Sequence, residues 1–399
     1  MLNENLIGQQ DTPPPHQTAE GGDPTAPPSQ GRHTAIGTRK PLSETTAEGV
    51  FVAPMGCGLV SLSSNILPGE NLTGLLNRIL REMRRRNLDA AQGTVFGDPA
   101  LAKTLGEPLP FPAAFLARHD TPEGDLRGAR ITALPSGTFR RVQSGNGTQA
   151  GVAWETSDAR CILLAALAPG DTSATPGAQS AALWKELKKL LADARFNITD
   201  VVRTWFYNDR ILDWYDDFNR VRTAFFNENA IFGKLVPAST GIGAANPQGA
   251  ALMLDAMAVA PKQGATLEIK AVPSPLQCPA NDYKSAFSRA VEISGQDGRH
   301  LFISGTASIE PEGRTAHTGD LDAQIKLSLR VVGAILESRG MRWEDTARAI
   351  LYFPSPAWMK RFEPCRASLN LPPIPAIFAH GDICRGDLLF EIELDAFKA

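Results

Sequence analysis

The sequence predicts an α/β fold built from two related units. Segments with the apolar spacing of helices alternate with short segments rich in apolar and β-branched residues. A repeat supports the same conclusion, because Arg203 and Tyr207 in ITDVVRTWFY recur at the same spacing as Arg348 and Tyr352 in WEDTARAILY. In each copy an amphipathic helix ends a short turn before this strand, which indicates two copies of one α/β arrangement.

The composition limits the classes of protein to consider. The chain has 399 residues, 43% of them hydrophobic, enough for two or three domains with a buried core. Its net charge of −3 excludes a dominant basic surface for nucleic acid. The longest apolar run, Cys161–Ala168, is too short for a membrane helix, and the N-terminus lacks a signal-peptide pattern. We therefore expect a cytoplasmic protein that binds neither nucleic acid nor membrane.

The cysteines and histidines indicate neither disulfides nor a metal site. Five widely spaced cysteines are typical of free thiols in a reducing compartment. The six histidines form no H-E-x-x-H pair, and the chain has no C-x-x-C motif. Phosphate-binding loops, the G-x-G-x-x-G turn and the G-x-S-x-G elbow are also missing. The sequence thus predicts chemistry with no cofactor, neither metal nor nucleotide.

The N-terminal part of the chain carries few structural signals. Residues 1–45 are polar and rich in Pro, Gly and Thr, which predicts a disordered tail. The basic run Arg78–Asn87 is either an anion-binding patch or a solvated helix face, and we favour the helix face.

The first predicted unit, residues 46–265, contains five strands and two helices. The helix Ala178–Ala194 has leucines at helical spacing, and a second helix is predicted over Ile211–Asn227. The predicted strands are rich in apolar or β-branched residues: Ala129–Leu134, Gly151–Glu155, Cys161–Leu167, Val201–Tyr207 and Ala251–Val259.

The second predicted unit, residues 266–399, repeats this alternation. Its helices are predicted over Asp320–Arg339 and Pro356–Ser368. Its predicted strands follow the same criteria: Leu301–Ser304, Ala347–Phe353, Ala376–Ala379 and Leu388–Leu394.

Five segments, taken together and in order, resemble one family. They are YDDFNRVR (Tyr215–Arg222), PASTGIGA (Pro237–Ala244), FSRA (Phe287–Ala290), ISGTASI (Ile303–Ile309) with HTGD (His317–Asp320) downstream, and CRGDLLFEIE (Cys384–Glu393). The combination resembles the chorismatase family, a branch of the RidA/YjgF superfamily, and covers most of residues 130–399.

The resemblance implies both a fold and a reaction. The fold would be two tandem RidA/YjgF-like units with mixed sheets covered by helices. The reaction would convert chorismate to pyruvate and a ring product without metal or nucleotide. We expect 3-hydroxybenzoate, and the alternatives within the family are mixed 3- and 4-hydroxybenzoate or a dihydroxycyclohexadiene carboxylate. The family's proton-donating glutamate matches Glu391, and a cysteine of the hydroxybenzoate-forming members matches Cys384.

The proposed chemistry requires that Glu391 act as an acid. Cleaving the enol ether of chorismate requires a proton on the enolpyruvyl methylene carbon, so the acid must keep its proton near neutral pH. Burial would raise the pKa of the carboxyl, and the apolar neighbours Leu389, Phe390 and Ile392 fit such a site. Alternatively, Glu391 and Glu393 share a solvent-facing side of an alternating strand.

Cys384 also allows two interpretations. Free cysteines are commonly buried structural residues. The resemblance implies instead that the thiol assists proton movement as the ring aromatises, and Arg385 beside it would lower the thiol pKa.

A substrate with two carboxylates requires cationic side chains, and arginine matches a carboxylate with two hydrogen bonds. Arg222 and Arg289 are the preferred candidates, and Tyr215 lies two helical turns before Arg222 on the same face. The repeated strands add Arg203, Tyr207 and Arg348, which are either substrate-binding or structural. For each arginine the alternative is a surface ion pair.

Two stretches of small residues complete the candidate site. Thr240 and Gly241 lie in STGIG, and Gly305 and Ala307 lie in SGTAS. Glycine allows close approach of a ligand to backbone N–H groups, although an ordinary turn would have the same composition. Within the family a small residue near SGTAS helps to separate the product classes, and we assign Ala307 to it.

A hypothesis of another class stays open. A RidA-like small-molecule binder or imine deaminase would need a carboxylate-binding arginine but no glutamate of raised pKa. RidA-type units usually trimerise, whereas a tandem chain satisfies those contacts internally, so we favour a monomer.

Overall fold

The computed structural model describes residues 40–145, 147–280 and 285–399. They form three six-stranded mixed sheets, each built from a consecutive stretch of chain. In each sheet the strands follow the same spatial order, in which the sixth strand lies between the third and the fourth. We call the three stretches the first, second and third units.

The first unit spans β1 to β6 and one helix. Its elements are β1 (Glu44–Thr45), β2 (Phe51–Pro54), β3 (Val60–Asn65), α1 (Leu72–Arg85), β4 (Leu88–Gly97), β5 (Ala113–Leu116) and β6 (Leu126–Pro135). Asn71 caps α1 by accepting a hydrogen bond from the backbone N–H of Gly74. The basic run therefore lies on a helix, but its Arg78 is buried and forms an ion pair with Glu70.

The second unit adds a second helix after its fourth strand. Its elements are β7 (Phe139–Gln143), β8 (Gln149–Glu155), β9 (Ala159–Leu167), α2 (Pro176–Asp193), β10 (Val201–Asn208), α3 (Ile211–Glu228), β11 (Ala238–Gly243) and β12 (Leu252–Pro261). The N-cap Thr175 and the proline that follows it begin α2.

The third unit carries the C-terminal strand. Its elements are β13 (Glu268–Val272), β14 (Ala290–Gly295), β15 (Gly298–Ala307), α4 (Leu321–Ser338), β16 (Thr346–Phe353), α5 (Phe362–Ser368), β17 (Ala376–His380) and β18 (Glu391–Lys398). The predicted last strand, Leu388–Leu394, thus begins three residues later, at the proposed acid Glu391.

The predicted class, mixed sheets covered by helices, is confirmed, but the described residues form three units and not two. Residues 46–265, predicted as one unit, hold two sheets, whereas residues 266–399 hold the third. The first unit escaped the repeat because Gln92 and Phe96 occupy the positions of the repeated arginine and tyrosine. A bulge before each arginine, and before Gln92, fixes this correspondence. Of the predicted tail, residues 1–39 lie outside the described residues, and Glu44–Thr45 pairs with β2.

The three units are joined in a closed cycle. Bridges link Ala117 to Ala245 and Gly243 to Asp382, and the Arg118 N–H donates to the carbonyl of His380. One apolar core contains residues of all three sheets, and the helices pack on the outer faces. Each pair of neighbouring units therefore forms a cleft, of which there are three.

Candidate active site

A pocket lies in the cleft between the second and third units. The second unit lines it from α3 and β11 with Tyr215, Phe218, Arg222, Ser239 and Gly241. The third unit contributes Phe287, Arg289, Gly305, Ala307, Cys384 and Glu391. About 550 Å³ of this space is free of protein atoms, part of it open to solvent. The pocket unites all five segments that carry the family resemblance, although they lie far apart in sequence.

Glu391 is the first residue of β18 and lines the pocket while remaining 5% exposed. Burial and, to a smaller extent, the negative charge of Glu393 raise its pKa to about 8, against the lowering effect of Arg203 and Arg289. At neutral pH this carboxyl holds its proton. The alternative of a solvent-facing glutamate pair is therefore wrong, since Glu393 is fully buried as well.

A bulge in β15 makes room for this carboxyl. The strand register shifts between Ile303 and Thr306, so one extra residue loops out beside β18. A Cβ atom on Gly305 would lie 2.0 Å from Oε1 of Glu391. The backbone N–H of Gly305 donates to Oγ1 of Thr240 over 3.1 Å. Glycine is thus required at residue 305 because the acid occupies the space of a side chain.

Two buried arginines lie on opposite walls of the pocket. Arg222 on α3 donates to Oδ1 of Asn219 over 2.6 Å and stacks over the Phe218 ring. Arg289 donates twice to the carbonyl of Cys278, over 3.0 Å each, and lies over the Phe287 ring. These contacts orient both guanidiniums around one cavity. Such a pair suits a ligand with two carboxylates.

Cys384 faces Glu391 and Tyr215 at the rim. Burial raises the pKa of its thiol to about 12, and the charge of Glu391 adds to the increase. Arg385 and a hydrogen bond from Tyr215 act in the opposite direction but are outweighed. Arg385 thus lowers the thiol pKa as expected, but burial outweighs its effect, and Cys384 is a neutral thiol at physiological pH.

Four predicted substrate-binding residues lie beneath the pocket and do not line it: Arg203, Tyr207, Thr240 and Arg348. Their side chains are buried because their strand positions point to the shared core. Nη2 of Arg203 donates to Thr240 over 2.6 Å and to Glu393 over 2.9 Å. Arg348 pairs with Glu393 over 2.7 Å and with Asp395 over 2.6 Å.

This buried ion network keeps Glu393 charged. Burial acts to raise the Glu393 pKa, but the charges of Arg348 and Arg203 outweigh it and lower the pKa to about 2. Two glutamates on one strand thus have opposite protonation states at neutral pH. Separation of the pKa values of neighbouring carboxyls is a common mark of acid–base sites.

The sequence interpretation missed several pocket residues. Phe218, Ser239 and Phe287 lie inside the segments that carry the resemblance, as does Arg385. Arg385 lines the pocket and donates to the carbonyl of Gly313 over 2.8 Å. These residues could have been found only because they stand next to predicted site residues in the same motifs. Their residue types alone do not indicate a function.

The described residues contain neither a candidate metal site nor a candidate membrane-spanning helix. Among residues 40–145, 147–280 and 285–399, no group of three or more His, Cys, Asp or Glu side chains could hold a metal ion. Within the same ranges, every helix is too short or too polar to span a bilayer.

Comparison with known proteins identifies the fold. A chorismatase crystal structure matches 84% of this chain and 98% of its own chain, with a TM-score of 0.60 and 20% sequence identity. The Escherichia coli YjgF gene product and RidA from the Antarctic bacterium Psychrobacter each match about a third of this chain at 18% identity, with TM-scores of 0.27 and 0.28, and 99% of their own chains. No protein-family model and no curated protein sequence matches. The chain therefore has the fold of a chorismatase.

Proposed function

We propose that this protein cleaves chorismate to pyruvate and 3-hydroxybenzoate. The observation that carries the proposal is the buried carboxyl of Glu391, whose pKa is raised. It lies in the same pocket as two arginines. Arg222 and Arg289 bind the two carboxylates of the substrate. Phe218 and Phe287 pack against those guanidiniums and limit access of water.

Glu391 acts as the general acid. Its proton passes to the enolpyruvyl methylene carbon, which leaves a Glu391 carboxylate and an oxocarbenium ion. The ring hydroxyl beside the ether adds to this ion and forms a cyclic ketal. The Glu391 carboxylate then takes the adjacent ring proton as the ring C–O bond of that hydroxyl breaks and the ring becomes aromatic. The hemiketal left on the ether oxygen collapses, with the hydroxyl proton passing to that oxygen, and releases pyruvate and 3-hydroxybenzoate. The sequence consumes no net water. Glu391 regains the ring proton, so the acid is ready for another turnover.

Cys384 contributes as a neutral thiol beside this carboxyl. Because burial raises its pKa to about 12, the thiol donates a hydrogen bond to Glu391 when that carboxylate forms. This hydrogen bond stabilises the negative charge of the Glu391 carboxylate while the ring becomes aromatic. If water attacked instead of the ring hydroxyl, the product would be the dihydroxycyclohexadiene carboxylate.

A coupled assay tests the reaction. Purified protein is mixed with chorismate, pyruvate release is followed with lactate dehydrogenase, and the extract is chromatographed against hydroxybenzoate standards. We expect pyruvate and 3-hydroxybenzoate in equal amounts. Glu391→Gln should lose on the order of 10²–10⁴ in rate, whereas the matched change Glu337→Gln, on an exposed part of α4, should leave it unchanged. No pyruvate release from the unmodified protein would contradict the proposal and favour a small-molecule binder or imine deaminase.

The product distribution tests the thiol separately. Cys384→Ala should shift the product toward the dihydroxycyclohexadiene carboxylate while pyruvate release continues. An unchanged product ratio would reject the role of Cys384 without affecting that of Glu391.

A further inference from the structure

A small chamber with buried walls lies at the centre of the molecule, apart from the pocket. All three units line it, including Gln92 and Arg130 of the first, Trp205 and Met257 of the second, and Arg348 and Asp395 of the third. Each of these side chains is at most 3% exposed. The space open to the centre of a water molecule inside it is about 10 Å³, which is about the space that one enclosed water requires.

Four polar atoms on the chamber-lining side chains have no hydrogen-bond partner within the described residues. They are Nη2 of Arg130, Nη2 of Arg348, Oε1 of Gln92 and Oδ1 of Asp395. The Arg130 atom lies 3.8 Å from Oδ2 of Asp255, beyond a hydrogen bond. A buried polar atom without a partner is costly, and four on the walls of one chamber indicate a ligand.

The mixture of donors and acceptors identifies the ligand. Two guanidinium N–H groups would repel a cation. An amide oxygen and a carboxylate oxygen would repel an anion. Only a small molecule that both donates and accepts satisfies all four groups, and the volume limits its size. We propose that the central chamber binds one water molecule that bridges the first and third units.

The proposed water would extend the ion network that lies beneath the pocket. Arg348, on the chamber wall, forms ion pairs with Asp395 and with Glu393, and Glu393 in turn forms an ion pair with Arg203. Within the described residues, Gln92 donates to Asp255 and Arg130 to Thr94, whereas Arg348 donates to Asp395 and Glu393, so no hydrogen bond joins the two pairs directly. The water supplies this missing connection, so the buried network extends across all three units.

Crystals of the whole chain soaked in sodium bromide test the assignment. We expect a density peak within about 2.7–3.2 Å of the Arg130, Arg348 and Gln92 atoms, with no anomalous signal at the bromine absorption edge. An anomalous peak would show an anion and overturn the assignment. An empty chamber at a resolution that shows other ordered waters would also overturn it.

A measurement in solution gives an independent answer. The melting temperature is recorded as bromide replaces gluconate at constant ionic strength. A water site predicts no saturable shift with bromide. A buried anion site would give a rise that saturates with concentration, since a ligand that binds only the folded state raises the melting temperature, and such a rise would contradict the proposal.

Discussion

The cleft between the second and third units and the cleft between the third and first units are built from equivalent strands. Among the described residues, only the first of these clefts carries an acid at the strand position compared here. Glu391 lies opposite Tyr352 in one, and Gly128 lies opposite Phe96 at the same register position in the other. The facing strand carries Thr240 in the first case and Ile377 in the second. The methyl of Ile377 fills the closed cleft, 3.1 Å from where a Cβ on Gly128 would lie.

The remaining cleft, between the first and second units, is also filled. Met253 lies there opposite Tyr207, and the facing strand carries Ala114. Both filled clefts are lined by apolar clusters. The fold thus supplies three equivalent positions, whereas the acid depends on one residue and on the arginines around it.

Crowding the acid should have the largest effect. Gly305→Ala places a methyl group 2.0 Å from Oε1 of Glu391 and must displace the carboxyl. We expect the rate of pyruvate release to fall about 10²-fold while the protein still folds. Gly170→Ala is the matched control, because a Cβ there meets nothing within 4 Å. Full activity of Gly305→Ala would show that the position of the carboxyl is not critical.

Moving an acid into a filled cleft should destabilise the protein. Met253→Glu buries a carboxyl among apolar side chains, and we expect the free energy of unfolding to fall by about 3 kcal/mol at pH 8. The loss should shrink at pH 5, where the carboxyl holds its proton. Urea denaturation measures both, with Met253→Leu as the control, expected to cost less than about 1.5 kcal/mol. Equal stability of the two variants at pH 8 would mean that this cleft tolerates a charge.

The pKa of Glu391 predicts a pH dependence of activity. Because the acid must hold its proton, kcat/KM should be level below pH 8 and fall about tenfold per unit above it. A decline that begins near pH 5 would mean that the carboxyl is not shifted.

The same pKa affects stability. The folded-state pKa of about 8 exceeds the ordinary 4.5, so the contribution of Glu391 to stability is complete below pH 4.5 and is lost as the pH rises to 8. Glu391→Gln should therefore match the unmodified protein at pH 4.5 and melt higher at pH 9. Asp255, whose pKa burial raises to about 6, titrates in both proteins and cancels in the difference.

Trimming the filled cleft should have the smallest effect. Ile377→Val removes one methylene group from a side chain that is 1% exposed. We expect a loss of about 1 kcal/mol in the free energy of unfolding, measured in urea, with unchanged pyruvate release. A parallel loss of activity would show that the two clefts are coupled.

The sequence predicted the helices of the second and third units because they have apolar stripes, and it predicted those strands that are largely apolar. It missed β7, β11, β13 and β14, whose sequences contain charged, polar or glycine residues. It did not reveal the first unit as a repeat, since Gln92 and Phe96 replace the arginine and tyrosine that marked the other two. The strand pairings identify the correspondence through a bulge, which has no sequence signal of its own.

The pocket was predicted in part. Motif residues that line one cavity, such as Glu391, Arg222 and Arg289, were found from the resemblance and from the chemistry of a substrate with two carboxylates. The prediction of substrate-binding residues failed where the role of a side chain depends on whether it points into the pocket or into the core. Arg203 and Glu393 lie 190 positions apart and meet only because two sheets pack together, so no local pattern could show that they pair below the pocket.

Covalent linkage of the three units has an evolutionary consequence. In a symmetric ring of identical chains, each amino-acid replacement would appear at every junction simultaneously. Here one chain carries all three junctions, so a replacement changes one of them alone, and one junction holds the pocket while the other two are packed. Protein engineers have the same freedom, since either filled junction can be redesigned without copying the change into the one that holds the pocket.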